Sequence, residues 1–239
     1  MSIWGKIGGA AAGFLAGGPI GAAVGAMAGH VLFDRDALPA DPADPGIAFT
    51  IAIIALGAKM AKADGVVTAD EEAAFARVFR VPPQDEPNVR RMFNLARADT
   101  AGYEIYAAQI ARMFRGNPAV LEDILDGLFE IAKADGVFHP GEQAFLERVA
   151  EIFGFSPNVY RRIRASHFVD QADPYVILGV SYEANEEEVR RSYRLLVKEN
   201  HPDSLIGRGV PPEFVKLAND KLAAINTAYE KIRKERDFK

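Results

Sequence analysis

The stretch Asn185 to Asp203, NEEEVRRSYRLLVKENHPD, decides how the C-terminal part of the chain is built. Asn185 before Glu186-Glu187-Glu188 is an N-cap, with the acids well placed against the helix dipole. The helix it opens runs to about Asn200, with Val189, Tyr193 and Leu196 as its apolar stripe. Arg190, Arg194 and Lys198 recur every fourth residue on another face, with Arg191 beside them. His201-Pro202-Asp203 ends that helix, and Pro211-Pro212 lies in the loop beyond. A further helix starts near Glu213, and its stripe of Phe214, Leu217, Leu222, Ile225, Tyr229 and Ile232 can pack on the helix before. Two antiparallel helices joined by an exposed loop are expected. Upstream, Asp173-Pro174-Tyr175 opens a short apolar helix through Leu178, ended by Gly179.

A basic helical stripe alone is usually a solvated face. His201 and Asp203 could imitate an acid–base pair, but Pro202 between them and no visible nucleophile argue against a hydrolase. In order and spacing, however, these residues resemble the J-domain. The match comprises the Asp173-Pro174-Tyr175 opening with Leu178-Gly179-Val180, and the Tyr193-Arg194-Leu195-Leu196 run. His201-Pro202-Asp203 and Ala224-Ile225-Asn226 with Ala228-Tyr229-Glu230 complete it. The sequence departs from many J-domains at Ser204, where a Lys is common, and at Leu195, which replaces a frequent basic residue.

The resemblance implies a co-chaperone, not an enzyme, that stimulates ATP hydrolysis by a DnaK-type chaperone. Arg190, Arg191, Arg194 and Lys198 would then steer the domain to an acidic face of the ATPase lobe. His201-Pro202-Asp203 would dock there, Pro202 lowering the ordering cost and Asp203 accepting from a partner arginine.

Residues 47–166 read as an all-helical bundle. Leu121, Ile124, Leu125, Leu128, Phe129 and Ala132 have the spacing of a core-facing helix. The region repeats itself: Ala61-Lys62-Ala63-Asp64-Gly65-Val66 returns as Ala132-Lys133-Ala134-Asp135-Gly136-Val137, and an acid follows each Asp at Glu71 and Glu142. The repeat resembles the TerB-like helical domain. That resemblance implies a divalent cation on Asp64 with Glu71 and Asp135 with Glu142, since hard cations take oxygen ligands. Helix capping explains the same acids: Thr68 with Glu71 is a capping box, and Pro140 suits a first helical turn. No cofactor is required, a divalent cation in the TerB-like region being the one that the resemblance allows.

Ile7 to Phe33 has no charged residue apart from His30 and is long enough to span a bilayer. Gly5, Gly9, Gly13, Gly17, Gly21, Gly25 and Gly29 fall on one helical face, where another backbone can approach closely. Three readings fit: a single span that also forms a homodimer, a hairpin turning at Gly18-Pro19, and a signal peptide ending at Ala26-Met27-Ala28. Trp4 and Lys6 at one end, and Asp34-Arg35-Asp36 at the other, look like interfacial anchors. Pro39, Pro42 and Pro45 make 34–46 an extended linker, and a second linker covers 167–172 before the J-like part at 173–239.

With Trp4-Gly5-Lys6, the TerB-like middle and the ending Asp237-Phe238-Lys239, the chain is similar to the DjlA-type group of membrane-anchored J-proteins. That likeness implies residence in a bacterial inner membrane, with the TerB-like and J domains in the cytoplasm. A net charge of -5 argues against a nucleic-acid partner. The absence of Cys excludes disulfides and thiolate-bound zinc. A metal-responsive membrane scaffold, with the J-like part accessory, is the competing function.

Overall fold

A computed structural model describes residues 3–7, 13–15, 17–22, 25, 45–63, 75, 76, 78–98, 102–134, 138–168 and 172–238. Among the described residues there is no strand, so the all-α expectation holds. The middle bundle is built around α2 (Pro45–Ala63), in which every residue from Phe49 to Ala61 is buried. A helix apolar on all sides has to be surrounded. Around it lie α3 (Glu86–Ala98), α4 (Tyr103–Met113), α5 (Pro118–Ala132) and α6 (Pro140–Ile152). α7 (Pro157–His167) packs on α5, and α1 (Ile3–Lys6) reaches α2.

The predicted core stripe of α5 is buried in full. That helix comes close to α2 where both lack side chains: a Cβ on Gly127 would lie 2.8 Å from Ile53 Cδ1, and one on Gly57 2.9 Å from Ile131 Cδ1. The same helix also buries Asp123 and Asp126, which periodicity alone does not anticipate.

The C-terminal unit holds α8 (Pro174–Leu178), α9 (Glu186–Glu199), α10 (Pro202–Gly207) and α11 (Val215–Glu235). Asp173 caps α8 through a 2.9 Å bond from Tyr175 N–H, and Gly179 ends it at φ +64. Asn185 and Glu188 form a reciprocal capping box at the head of α9, with bonds of 2.8 and 2.9 Å. Val189 and Leu196 pack with Ile225, Ala228 and Ile232 of α11 and with Tyr175 and Leu178 of α8. The Tyr193 ring stacks on Tyr229 at 4.1 Å. The expected antiparallel pair is therefore present.

Two of the six residues of the predicted stripe, Phe214 and Leu217, pack elsewhere than expected. α11 has 21 residues and α9 has 14, so α11 is longer by roughly 10 Å at 1.5 Å per residue. Its first turns meet the middle bundle, and Phe214, Leu217 and Ala218 join that core together with Leu205 and Val210. Phe214 lies 5.0 Å from Phe49, 5.0 Å from Phe79 and 5.4 Å from Trp4, ring centre to ring centre. This end of the C-terminal unit therefore shares the middle bundle's apolar interior, while α8, α9 and the rest of α11 keep a core of their own.

At the N-terminus, Gly18 has φ +61. The chain comes back on itself there: a Cβ on Gly13 would collide with the Gly21 carbonyl oxygen and sit 2.8 Å from Gly25 Cα. These glycines meet within one chain, the contact a turn at Gly18-Pro19 would make. Trp4 departs from the anchor reading, because it is fully buried against Phe75 and Phe214. An aromatic cavity takes up the large indole surface that the sequence suggests for an interface. No helix among the described residues is long and apolar enough to cross a membrane.

Candidate functional site

The tripeptide sits where α9 ends and α10 begins. Pro202 occupies the first turn of α10, a position where its missing N–H costs nothing. His201 is the N-cap, its Nδ1 accepting from Asp203 N–H at 3.2 Å. The side chains of His201 and Asp203 are 53% and 89% exposed, so both carry free polar atoms outward. On α9, Arg191, Arg194 and Lys198 are exposed, and Arg190 is paired with Glu186 one turn back. The sequence-predicted docking residues thus form a basic helix face that runs into an exposed, proline-started turn.

Both departures from the J-domain pattern have a visible place. Ser204 Oγ donates to the Lys198 carbonyl at 2.7 Å, satisfying one of the open acceptors at the end of α9. Leu195 is exposed on the basic helix.

Behind this surface lies a charge network that sequence reasoning missed. α5 contributes Glu122, Asp123, Asp126 and Glu130. Lys221 of α11 reaches Glu122 and Asp126 at 2.5 and 2.7 Å, and Arg162 of α7 reaches Glu122 at 2.7 Å. Arg208 Nη2 grips both Asp123 oxygens at 2.9 and 3.2 Å, while its Nη1 donates to the Glu199 carbonyl at 2.7 Å. His167 lies between Asp126 at 2.8 Å and Glu130 at 3.0 Å and stacks on Phe129. A carboxylate at each ring nitrogen favours the doubly protonated ring, in which both nitrogens donate.

The electrostatics follow from burial and partners. Burial opposes the His167 charge, but Asp126 and Glu130 raise its pKa above the ordinary value. Burial raises Asp126, yet Lys221 and His167 outweigh it and hold the carboxyl down to about 2. Glu130 is likewise held to about 2, chiefly by His167, against its own burial. Glu122 is lowered by Lys221 and Arg162 despite burial. For Asp123 burial wins over Lys221 and Arg208, and its carboxyl is pushed up to about 6. The signal in the sequence was Glu122, Asp126 and Glu130, one per turn, with Asp123 beside the first, inside an otherwise apolar helix.

Of the residues expected to hold a cation, Asp64, Glu71 and Asp135 lie outside the described residues. Glu142 accepts from His139 N–H at 2.9 Å, closing the N-terminus of α6. Among the described residues no group of three His, Cys, Asp or Glu could hold a metal ion. Gly9 and Gly29 also lie outside the described residues, and Gly5 falls in α1. Gly17 is helical, with open space where a Cβ would project.

Three protein families match the chain in succession. Residues 1–59 match the co-chaperone DjlA transmembrane domain, 50–165 the tellurite resistance protein TerB, and 173–237 the DnaJ domain. A co-chaperone protein DjlA of Photobacterium profundum is 31% identical, with 99% of this chain and all of the relative covered. One from Coxiella burnetii is 30% identical over the full length of both. One from Vibrio cholerae is 37% identical, over 49% of this chain and 53% of its own. No solved structure matches.

Proposed function

We propose, on the premise that the chain belongs to the DjlA family of co-chaperones, that its J-domain stimulates ATP hydrolysis by a DnaK-type chaperone at a membrane. The observation that carries this reading is the exposed His201-Asp203 turn at the end of a basic helix. Arg191, Arg194 and Lys198 attract an acidic lobe and raise the encounter rate. Asp203, nearly free in solvent, is suited to accept a charge-assisted bond from a partner arginine. Binding the hydrolysis-competent conformation more tightly than the resting one shifts the partner toward it. In this reading the chain acts as a co-chaperone rather than an enzyme, and it requires no cofactor of its own.

The N-terminal segment is the tether, placed in a bacterial inner membrane with the helical domains on the cytoplasmic side. Gly13 is covered by the same chain, whereas Gly17 leaves open space on which a second copy can pack, so the reading includes a homodimer through this segment. The test is steady-state ATP turnover by the cognate DnaK with the full chain in lipid vesicles. Wild type should accelerate turnover and His201→Gln should not. Turnover unchanged by the wild type overturns the proposal.

A further inference from the structure

We propose that Asp123 is a positioning residue for the His201-Pro202-Asp203 turn, acting through Arg208 to hold the turn in the shape a chaperone partner meets. The mention of a partner rests on the function proposed above; the restraint on the turn does not. Arg208 follows α10 directly, and Glu199 is the last residue of α9, two before His201. By donating to the Glu199 carbonyl, Arg208 ties together the two ends of the ten-residue span that contains the tripeptide. Its other nitrogen is fixed by both oxygens of Asp123, a carboxylate only 5% exposed and supplied by the TerB-like domain. The planar guanidinium presents its two terminal nitrogens in a fixed fork, so one faces Asp123 while the other faces the Glu199 carbonyl.

Three neighbours strengthen the clip. Leu205 and Val210, on either side of Arg208, are buried in the shared core, and Ser204 bonds to the Lys198 carbonyl. The turn is therefore pinned at its base from the TerB-like side while Asp203 at its tip stays exposed. A turn ordered beforehand loses less conformational freedom when it binds. The TerB-like domain thereby contributes to the docking surface without touching the partner.

The test uses the full chain and two readouts. In Asp123→Asn, which keeps the shape and removes the charge, amides of residues 201–210 should exchange hydrogen about tenfold faster, as for a local opening. The concentration of the chain giving half-maximal ATPase stimulation should rise about fivefold, the scale of one loop's ordering cost, with the maximal rate unchanged. Arg208→Lys, which keeps a positive charge facing Asp123 but loses the fixed planar fork, should do the same. Asp123→Glu should restore both readouts. Wild-type exchange in residues 201–210 of Asp123→Asn overturns the proposal, as does faster exchange spread evenly over α8, α9 and α11. Should the wild-type chain fail to stimulate any turnover, the functional reading falls, and the exchange of residues 201–210 alone still decides the positioning role.

Discussion

Lys221 of the J-domain places its Nζ 2.7 Å from Oδ2 of Asp126 in the TerB-like domain, with both side chains 5% exposed or less. A lone ammonium there would be strongly disfavoured, and the pairing with Asp126 and Glu122 instead raises the Lys221 pKa above its ordinary value. A buried pair of this kind adds little net stability over an apolar contact, but breaking it leaves a charge stranded. Lys221→Met should therefore destabilise the chain by about 3–5 kcal/mol. Urea unfolding followed by circular dichroism measures it, and a loss below about 1 kcal/mol would show the carboxylates finding other partners.

The same network makes stability depend on pH. His167 has a raised folded pKa, so its contribution is complete below about 6.5 and disappears as pH rises through the raised value. Asp126 and Glu130, held down to about 2, contribute above the ordinary carboxylate range and lose that contribution as pH falls toward 2. Asp123, raised to about 6, favours the folded state increasingly as pH drops below that value. The three effects place maximal stability between about pH 4 and about pH 6.5. Urea midpoints at a series of pH values should fall on the alkaline side, and His167→Gln should flatten that limb.

Gly209 closes α10 at φ +89, and a Cβ on it would lie 2.5 Å from Pro45 Cβ. Both the backbone angle and the close approach oppose any side chain. Gly209→Ala should cost about 1–3 kcal/mol, and thermal unfolding would register it. The larger effect should fall on hydrogen exchange near Arg208, because the turn that ends at Gly209 carries that guanidinium.

Arg194 and Lys198 are exposed, so changing them leaves the core alone. The double substitution Arg194→Glu with Lys198→Glu should leave stability within about 0.5 kcal/mol. Association with DnaK should slow by about tenfold or more at low salt. The gap between variant and wild type should close near 1 M salt, where the screening length is about 3 Å. Association rates at two ionic strengths test this.

Much of this was legible in the sequence, for identifiable reasons. Asn185, Glu188, Gly179 and Pro202 act within one turn of themselves, so local chemistry fixes α8, α9 and the start of α10. The α5 stripe was legible because its helical period coincides with its burial. Glu142 had two readings in the sequence, ligand and cap, and the short bond to His139 N–H is the cap. What stayed hidden is long-range. Asp123 and Arg208 are 85 residues apart, and Trp4 meets Phe214 across most of the chain. Charged residues embedded in an apolar helix announce that partners exist; only the fold says which ones.

Leu205, Val210 and Phe214 lie with Phe49 and Phe79 in a single interior. Cutting the gene ahead of Asp173 would give a fragment whose hydrophobic underside has lost its lid. Conversely, a transplanted J-domain without counterparts of Leu205, Val210 and Phe214 would leave this interior unfilled. Modular exchange, which the chain's linear layout invites, should fail here unless those side chains travel with the graft.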